Sequence, residues 1–103
     1  MRRSFRAITL MHLRETPSDV ALRSLAIFFK ADASYHPIKD SNSRRWNVRT
    51  EYGEFEILTT GVKWYDPRAK VGGGGAIDLA MHILQVSFVD AVKILSASIE
   101  PRG

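Results

Sequence analysis

The apolar residues of this chain recur with helical spacing near both ends and with strand spacing in the middle. Near the N-terminus, Pro17 and Ser18 are typical of a helix start, and the apolar residues that follow predict a helix over about 18–30. Near the C-terminus, one apolar stripe begins at Ala76 and another follows Ser87, a residue type that caps helices. The pattern therefore predicts one helix before the middle of the chain and two consecutive helices after it.

Between the predicted helices, three short segments alternate apolar and polar residues, as strands with one buried face do. These segments are 44–50, 54–60 and 62–65. Their predicted inward residues are Trp46, Val48, Phe55, Ile57, Val62 and Trp64. Their predicted outward residues are Arg45, Asn47, Arg49, Glu54, Glu56, Lys63 and Tyr65. A further extended piece at 35–38 would lie at an edge of the sheet if it forms a strand, because Pro37 lacks the N–H that a central strand needs.

This order of elements predicts an α+β fold. We expect a small antiparallel sheet of three to four strands, with an N-terminal helix and two C-terminal helices packed on one face. A chain of 103 residues suffices for one core, so residues 1–103 are interpreted as a single domain. Residues 1–15 carry four arginines and leave a short strand, a short helix or a flexible basic arm as alternatives.

The sequence lacks the residues that several kinds of functional site need. The chain has no cysteine, and its three histidines are scattered without the spacing of metal ligands, so we expect no metal and no cofactor. No phosphate-binding GxxxxGK[ST] motif occurs, Ile77 stands where GxGxxG needs its third glycine, and no catalytic triad is indicated. No apolar run approaches the ~20 residues of a membrane span. We therefore expect a cytoplasmic protein that is not an enzyme and does not bind a membrane.

Four consecutive glycines, 72–75, run directly into the helix predicted from Ala76. Glycine tolerates positive φ and has no Cβ, so we expect a tight turn that leaves the N–H groups of the helix N-terminus open to a phosphate. The expected contacts are Gly73, Gly74, Gly75, Arg68 and Lys70. Two alternatives remain: the glycines only allow close packing of the helix, or Asp78 in the first helical turn satisfies those donors itself.

The predicted outer surface of the sheet combines cations with an aromatic ring. Arg45, Arg49 and Lys63 supply positive charge there, and Tyr65 supplies a ring on which a base can stack. Proteins that bind single-stranded nucleic acid combine these two elements, and the net charge of +4 favours an acidic partner. The alternative interpretation is that these arginines and lysines only keep a small sheet soluble.

The C-terminal segment 72–95 resembles the end of the zinc-ribbon module at the N-terminus of bacterial DnaG-type DNA primases. That module carries the stretch GG-(D/G)-A-I-D-F-(V/L)-M and then a short helix with the pattern SF-EAV-L. The matching residues are Gly73, Gly74, Ala76, Ile77, Asp78, Met81, Ser87, Phe88, Ala91, Val92 and Leu95. With RRWNV, KWYD and GGGGAIDL together, the chain is also similar to N-terminal regions of plasmid- and phage-associated proteins that continue into a toprim primase domain.

In the primase module, three cysteines and a histidine bind zinc, and two of those cysteines stand just before the glycines. Here that place holds residues 66–70, so the resemblance implies a zinc-less relative whose strand core supplies the stability that metal would otherwise give. It further implies a DNA-binding module that prefers single strands and is accessory to priming in the replication of a plasmid, phage or other mobile element. A toprim or primase protein, a helicase or another replication protein is then the expected partner. The alternative is a protein-interaction domain that docks on a replication or conjugation partner without binding DNA.

Overall fold

The computed structural model describes residues 7–37 and 42–98. The helices in these ranges are α1 (Ala7–Glu15), α2 (Ser18–Leu25), α3 (Ala76–Leu84) and α4 (Phe88–Ser98). The strands are β1 (Phe28–Ala31), β2 (Arg44–Thr50), β3 (Gly53–Thr60), β4 (Lys63–Asp66) and β5 (Val71–Gly73). The fold is α+β, as predicted, and the described sheet has five strands rather than three to four. No single helix in the described ranges is long and apolar enough to cross a membrane, and α3 and α4 reach that length only as a pair bent by 108°.

The strands form one antiparallel sheet in the order β1-β2-β3-β4-β5, so each strand pairs with its neighbour in the chain. The register places Trp46 opposite Ile57 and Val48 opposite Phe55, on the face that the helices cover. Val48, Ile57 and Trp64 are buried there, as predicted. The opposite surface of the sheet, called the outer face below, carries Arg45, Asn47, Arg49, Glu54, Glu56, Leu58, Lys63 and Tyr65.

Side chains from α1 to α4 and from the three central strands meet in one core. Its fully buried large side chains include Leu13, Leu22, Ile57, Leu79, Ile83 and Leu95. Removing such apolar surface from water contributes about 25 cal/mol per Å², which makes this core the main source of stability. Because Leu13 belongs to the core, the segment 7–15 is a packed helix, and a helix was one of the alternatives that the sequence left open. Residues 1–6 lie outside the described residues.

The helix predicted over 18–30 is wrong at its C-terminal end. α2 ends at Leu25, and the chain continues into β1. The backbone N–H of Ile27 donates to a carbonyl of β2 at 2.8 Å, and Phe29 stacks on Trp46 with ring centroids 4.4 Å apart. Aromatic and β-branched residues suit a strand when a partner strand is present. Pairing with β2 therefore overrides the helical spacing of the local sequence.

The edge strand expected at 35–38 is absent from the described part of that segment, which has no regular secondary structure. Ile38 lies outside the described residues. β1 forms this edge of the sheet instead. By register, Phe28 and Lys30 of β1 stand opposite outward residues of β2, so they extend the outer face.

The tight turn expected at the glycines is not formed there. Val71–Gly73 is β5, Gly75 is extended with φ of −168°, and no residue of 72–75 has a positive φ. The chain turns earlier, over 67–70, where Lys70 adopts φ of 58°. The glycine run therefore carries the chain from the edge strand β5 through a bend at 74–75 into α3.

Close packing explains the first two glycines of the run. A Cβ on Gly72 would lie 2.9 Å from Cδ1 of Tyr65, and a Cβ on Gly73 would lie 2.8 Å from Nε1 of Trp64. Both separations are shorter than ordinary van der Waals contact, so a side chain at either position would displace an aromatic ring or the strand. A Cβ on Gly74, by contrast, meets nothing within 4 Å.

Both C-terminal helices begin where the sequence predicts them. α3 begins at Ala76, directly after the glycines. α4 begins at Phe88, and the backbone N–H of Asp90 donates to Ser87 Oγ at 3.1 Å. This bond is the serine cap that the sequence predicted, since it satisfies a donor left free at the helix N-terminus.

Candidate nucleic-acid interface

The two arginines predicted on the outer face are paired with carboxylates. Arg45 Nη2 lies 2.8 Å from Asp32 Oδ2, and Arg45 Nε lies 3.8 Å from Glu56 Oε2. Arg49 Nε lies 3.7 Å from Glu54 Oε2, in a pair that is more exposed to solvent. The cross-strand register places Arg49 directly opposite Glu54, which explains the second pair. Much of the positive charge predicted for this face is therefore balanced by acids.

Arg45 belongs to a compact polar cluster at the start of the β1–β2 connection. Asp32 Oδ1 accepts hydrogen bonds from the Ser34 hydroxyl at 2.6 Å and the Ser34 N–H at 2.9 Å. These bonds, followed by the one from Arg45, hold the pKa of the Asp32 carboxyl below its ordinary value of 3.8. The guanidinium of Arg45 lies 5.2 Å from the centroid of the Tyr35 ring, and only 30% of the Arg45 side chain is exposed.

Lys63 and Tyr65, by contrast, stand at an open groove on the outer face. The groove has a volume of about 410 Å³. Its lining includes Tyr35, Leu58, Lys63 and Tyr65. Tyr65 is 42% exposed although it lies in the middle of β4, and Lys63 is exposed with no carboxylate partner among the residues that the structure describes. This groove is the part of the predicted interface where a free cation and an accessible ring occur together.

Two hydroxyl groups form a polar wall of the groove. Ser43 Oγ and Thr60 Oγ1 are 2.7 Å apart, and either can be the donor. Both residues line the groove together with Tyr65. The wall can therefore present a donor or an acceptor to a ligand, because a hydroxyl rotates to suit its partner.

One further predicted contact lies at this groove, and others lie elsewhere. Gly73 of β5 packs against Trp64 and lines the groove together with Lys63 and Tyr65. Arg68 lines a separate small groove of about 110 Å³ with Phe28 and Arg49, and Lys70 is exposed in the turn before β5. The structure therefore brings Gly73 to the groove and leaves Arg68 and Lys70 outside its lining.

The N-terminus of α3 borders a cleft of about 370 Å³. Its lining is formed by Arg14, Gly74, Gly75, Ile77, Asp78 and Phe88. Among the described residues, the cation that lines this cleft is Arg14 of α1, and neither Arg68 nor Lys70 lines it. Asp78 is exposed, and no side chain caps this helix.

A buried carboxylate anchors the β4–β5 turn to α3. Asp66 accepts hydrogen bonds from the N–H groups of Arg68 at 3.0 Å and Ala69 at 3.1 Å, and from His82 Nε2 at 2.7 Å. The His82 ring is partly buried and stacks on Trp64 with centroids 5.2 Å apart. Burial alone raises the pKa of the Asp66 carboxyl, but the bonds from His82 and the two N–H groups outweigh it and lower the pKa below 3.8. The cluster positions Trp64, whose neighbour in β4 is Tyr65.

Sequence reasoning did not assign five lining residues to the interface: Tyr35, Ser43, Leu58, Thr60 and Trp64. Leu58 lies on the same face of β3 as Glu54 and Glu56, so the two-residue spacing already placed an apolar residue on an otherwise polar surface. Tyr35 carried no such signal, because it lies in an irregular connection whose position depends on tertiary contacts. In the described residues, no group of three or more His, Asp or Glu side chains is placed to hold a metal ion.

Comparison with known protein families, with curated proteins and with solved structures finds no match for this chain.

Proposed function

We propose that this chain is a DNA-binding module that takes a single strand across its outer face. A base stacks on Tyr65, and Lys63 pairs with an adjacent phosphate. The observation that carries the proposal is the exposed Tyr65 ring at the groove beside Lys63, which has no carboxylate partner among the described residues. Stacking on an aromatic side chain and a cation for the backbone are the two elements that proteins use to bind single strands.

The geometry of the groove favours an unpaired base over a duplex. In a duplex both faces of each base are covered by its neighbours, so the Tyr65 ring has no free base face to contact. The four described helices pack on the opposite face of the sheet, so none of them lies on the outer face to enter a major groove, which is the common way to read duplex DNA. The bases of a single strand can turn outward, so they offer a free face to the Tyr65 ring, and a single strand needs no helix in a major groove to be bound.

Two lysines that have no carboxylate partner among the described residues suit a short contact with the DNA backbone. Lys63 lies at the groove, and Lys30 lies on β1 at the other edge of the outer face. Arg45 and Arg49 contribute less, since carboxylates already balance their charge. We expect a modest dependence of affinity on salt, corresponding to few neutralised phosphates.

The resemblance to the primase module suggests where this binding acts. We propose a role accessory to priming in the replication of a plasmid, phage or other mobile element. In that role the chain holds the template strand, and a toprim, primase or helicase partner carries out the chemistry. The module itself contributes no catalysis and needs no zinc in this proposal.

The proposal is tested by titrating a short fluorescent oligothymidylate with the protein at salt concentrations between about 50 and 200 mM. The affinity falls as the salt concentration rises. Replacing Lys63 with alanine is expected to make the slope of log affinity against log salt shallower by about one unit, because one phosphate contact is lost. The matched control is Lys93→Ala, which removes an exposed lysine of α4 on the helical side of the molecule. Absence of wild-type binding at the lowest salt concentration would rule out the proposed function. A salt slope in Lys63→Ala equal to that of the wild type would show that Lys63 does not contact a phosphate.

A second candidate function is docking on a replication or conjugation partner without DNA. Ile8 and Met11, one helical turn apart on α1, are about half exposed, and apolar side chains in this state favour a protein contact. A stoichiometric complex with such a partner, together with no affinity for the oligonucleotide at low salt, would support this function instead.

A further inference from the structure

We infer that the groove holds one unpaired base between the rings of Tyr35 and Tyr65, and that Arg45 positions Tyr35 instead of contacting phosphate. The inference rests on the proposed single-strand binding and names the ligand and the residue roles at the same site. Three features of the structure carry it: the placement of the two rings, the contacts of Arg45 and the polar wall.

The two tyrosines line the groove from different parts of the chain. Tyr65 stands in β4 opposite Leu58, and the absence of a side chain on Gly72 gives its ring room beside β5. Tyr35 comes from the connection after β1, which has no regular secondary structure at this point. The position of the Tyr65 ring is therefore determined by the sheet, whereas the position of the Tyr35 ring depends on side-chain contacts.

Arg45 provides the contact that positions the Tyr35 ring. Its Nε and Nη2 both lie 2.8 Å from Asp32 Oδ2, which fixes the guanidinium plane, and the guanidinium lies 5.2 Å from the centroid of the Tyr35 ring. A guanidinium at this distance from a ring attracts it through a cation–π interaction. The contacts from Asp32 to Arg45 and from Arg45 to Tyr35 thus link the start of the β1–β2 connection to one wall of the groove.

The same contacts make Arg45 a poor partner for phosphate. Its guanidinium already lies between the carboxylates of Asp32 and Glu56, and a phosphate placed beside it would meet the repulsion of both. Its side chain is also mostly buried. Lys63 lines the groove and has no carboxylate partner within residues 7–37 and 42–98, so it is available to a phosphate of the strand.

The remaining lining suits a base of any sequence. Leu58 supplies an apolar surface, and the hydroxyls of Ser43 and Thr60 can each donate or accept at the edge of a base. The volume of about 410 Å³ is within the range of small-ligand sites, so it accommodates one base and its sugar. We therefore expect weak sequence preference and a clear preference for single strands.

The test measures binding of the fluorescent oligothymidylate to the full chain at several salt concentrations. Tyr35→Ala is expected to weaken binding by at least about fivefold with an unchanged salt slope, and Tyr35→Phe, which keeps the ring, is expected to bind like the wild type. Wild-type affinity in Tyr35→Ala would overturn the two-ring site. Circular dichroism and thermal melting of each variant show whether it remains folded.

Asp32→Asn distinguishes a positioning role of Arg45 from a phosphate-binding role, because the two roles predict opposite changes in the affinity for the oligonucleotide. If Arg45 positions Tyr35, loss of the Asp32 charge loosens that ring, and we expect weaker binding with the same salt slope. If Arg45 is a phosphate contact that Asp32 restrains, the variant binds more tightly with a steeper slope, and the inference fails. Asp90→Asn, on α4 at the helical side, is the control for losing one negative charge.

The outcome also distinguishes this inference from the function on which it rests. Wild-type protein that does not bind the oligonucleotide overturns both. Wild-type protein that binds through Lys63 and Tyr65, while Tyr35→Ala and Asp32→Asn leave affinity and slope unchanged, overturns only the inference.

Discussion

Replacing Tyr65 with alanine is expected to weaken binding of a short single-stranded oligonucleotide by about 1–3 kcal/mol, since one base loses its stacking surface. This effect is the largest that we expect at the interface. The Tyr65 ring is exposed in the middle of a strand, beside Lys63 and against the backbone of Gly72, so it is accessible without any rearrangement of the fold. Fluorescence anisotropy with labelled oligothymidylate measures the change directly.

The control for this substitution is another exposed tyrosine. Tyr52 is 53% exposed in the turn between β2 and β3, and it does not line the groove. We expect Tyr52→Ala to leave the affinity unchanged and Tyr65→Phe to retain most of it, because phenylalanine keeps the stacking ring. Equal losses from Tyr65→Ala and Tyr52→Ala would show that the groove is not the binding site.

Replacing Asp66 with alanine is expected to lower the free energy of unfolding by about 3 kcal/mol. The substitution leaves His82 Nε2 and the N–H groups of Arg68 and Ala69 without their acceptor, in a site where the carboxylate is buried. Urea unfolding followed by circular dichroism gives the free energy. Glu51→Ala, in an exposed turn, is the control and is expected to change it by less than about 0.5 kcal/mol.

The same carboxylate makes the fold sensitive to acid. Because the folded-state pKa of Asp66 lies below 3.8, its ordinary value, the carboxylate contributes stability above that value. The contribution is lost as the pH falls from 3.8 through the lower folded-state pKa. We therefore expect the difference in unfolding free energy between wild type and Asp66→Ala to shrink as the pH falls below 3.8. A difference that stays constant as the pH falls would show that folding does not lower the pKa of the Asp66 carboxyl.

How much of the site was predictable depends on whether a contact is local. The two-residue spacing of β4 places Lys63 and Tyr65 on one face regardless of the rest of the fold, and the structure keeps them there. The charge of Arg49 on the outer face was predicted in the same way. Its partner Glu54 was also predicted outward, but only the register shows that the two side chains stand opposite each other.

The sequence alone determined the fold class, the inward residues of the central strands and the starts of α3 and α4. These features follow from spacing along a single segment, because a strand repeats every two residues and a helix every 3.6. The serine cap at Ser87 likewise needs only its own turn of helix.

Only the tertiary structure decided the fate of segments whose partners are distant in the chain. Residues from Phe28 form a strand because β2 offers backbone partners, although their own spacing favours a helix. Gly72 and Gly73 belong to the edge strand β5 because β4 offers backbone partners, and the rings of Tyr65 and Trp64 leave no room there for side chains. The contacts of Arg45 with Asp32 and Tyr35 were likewise decided by the tertiary structure, because side chains meet across elements and the sequence of one element does not contain the position of another.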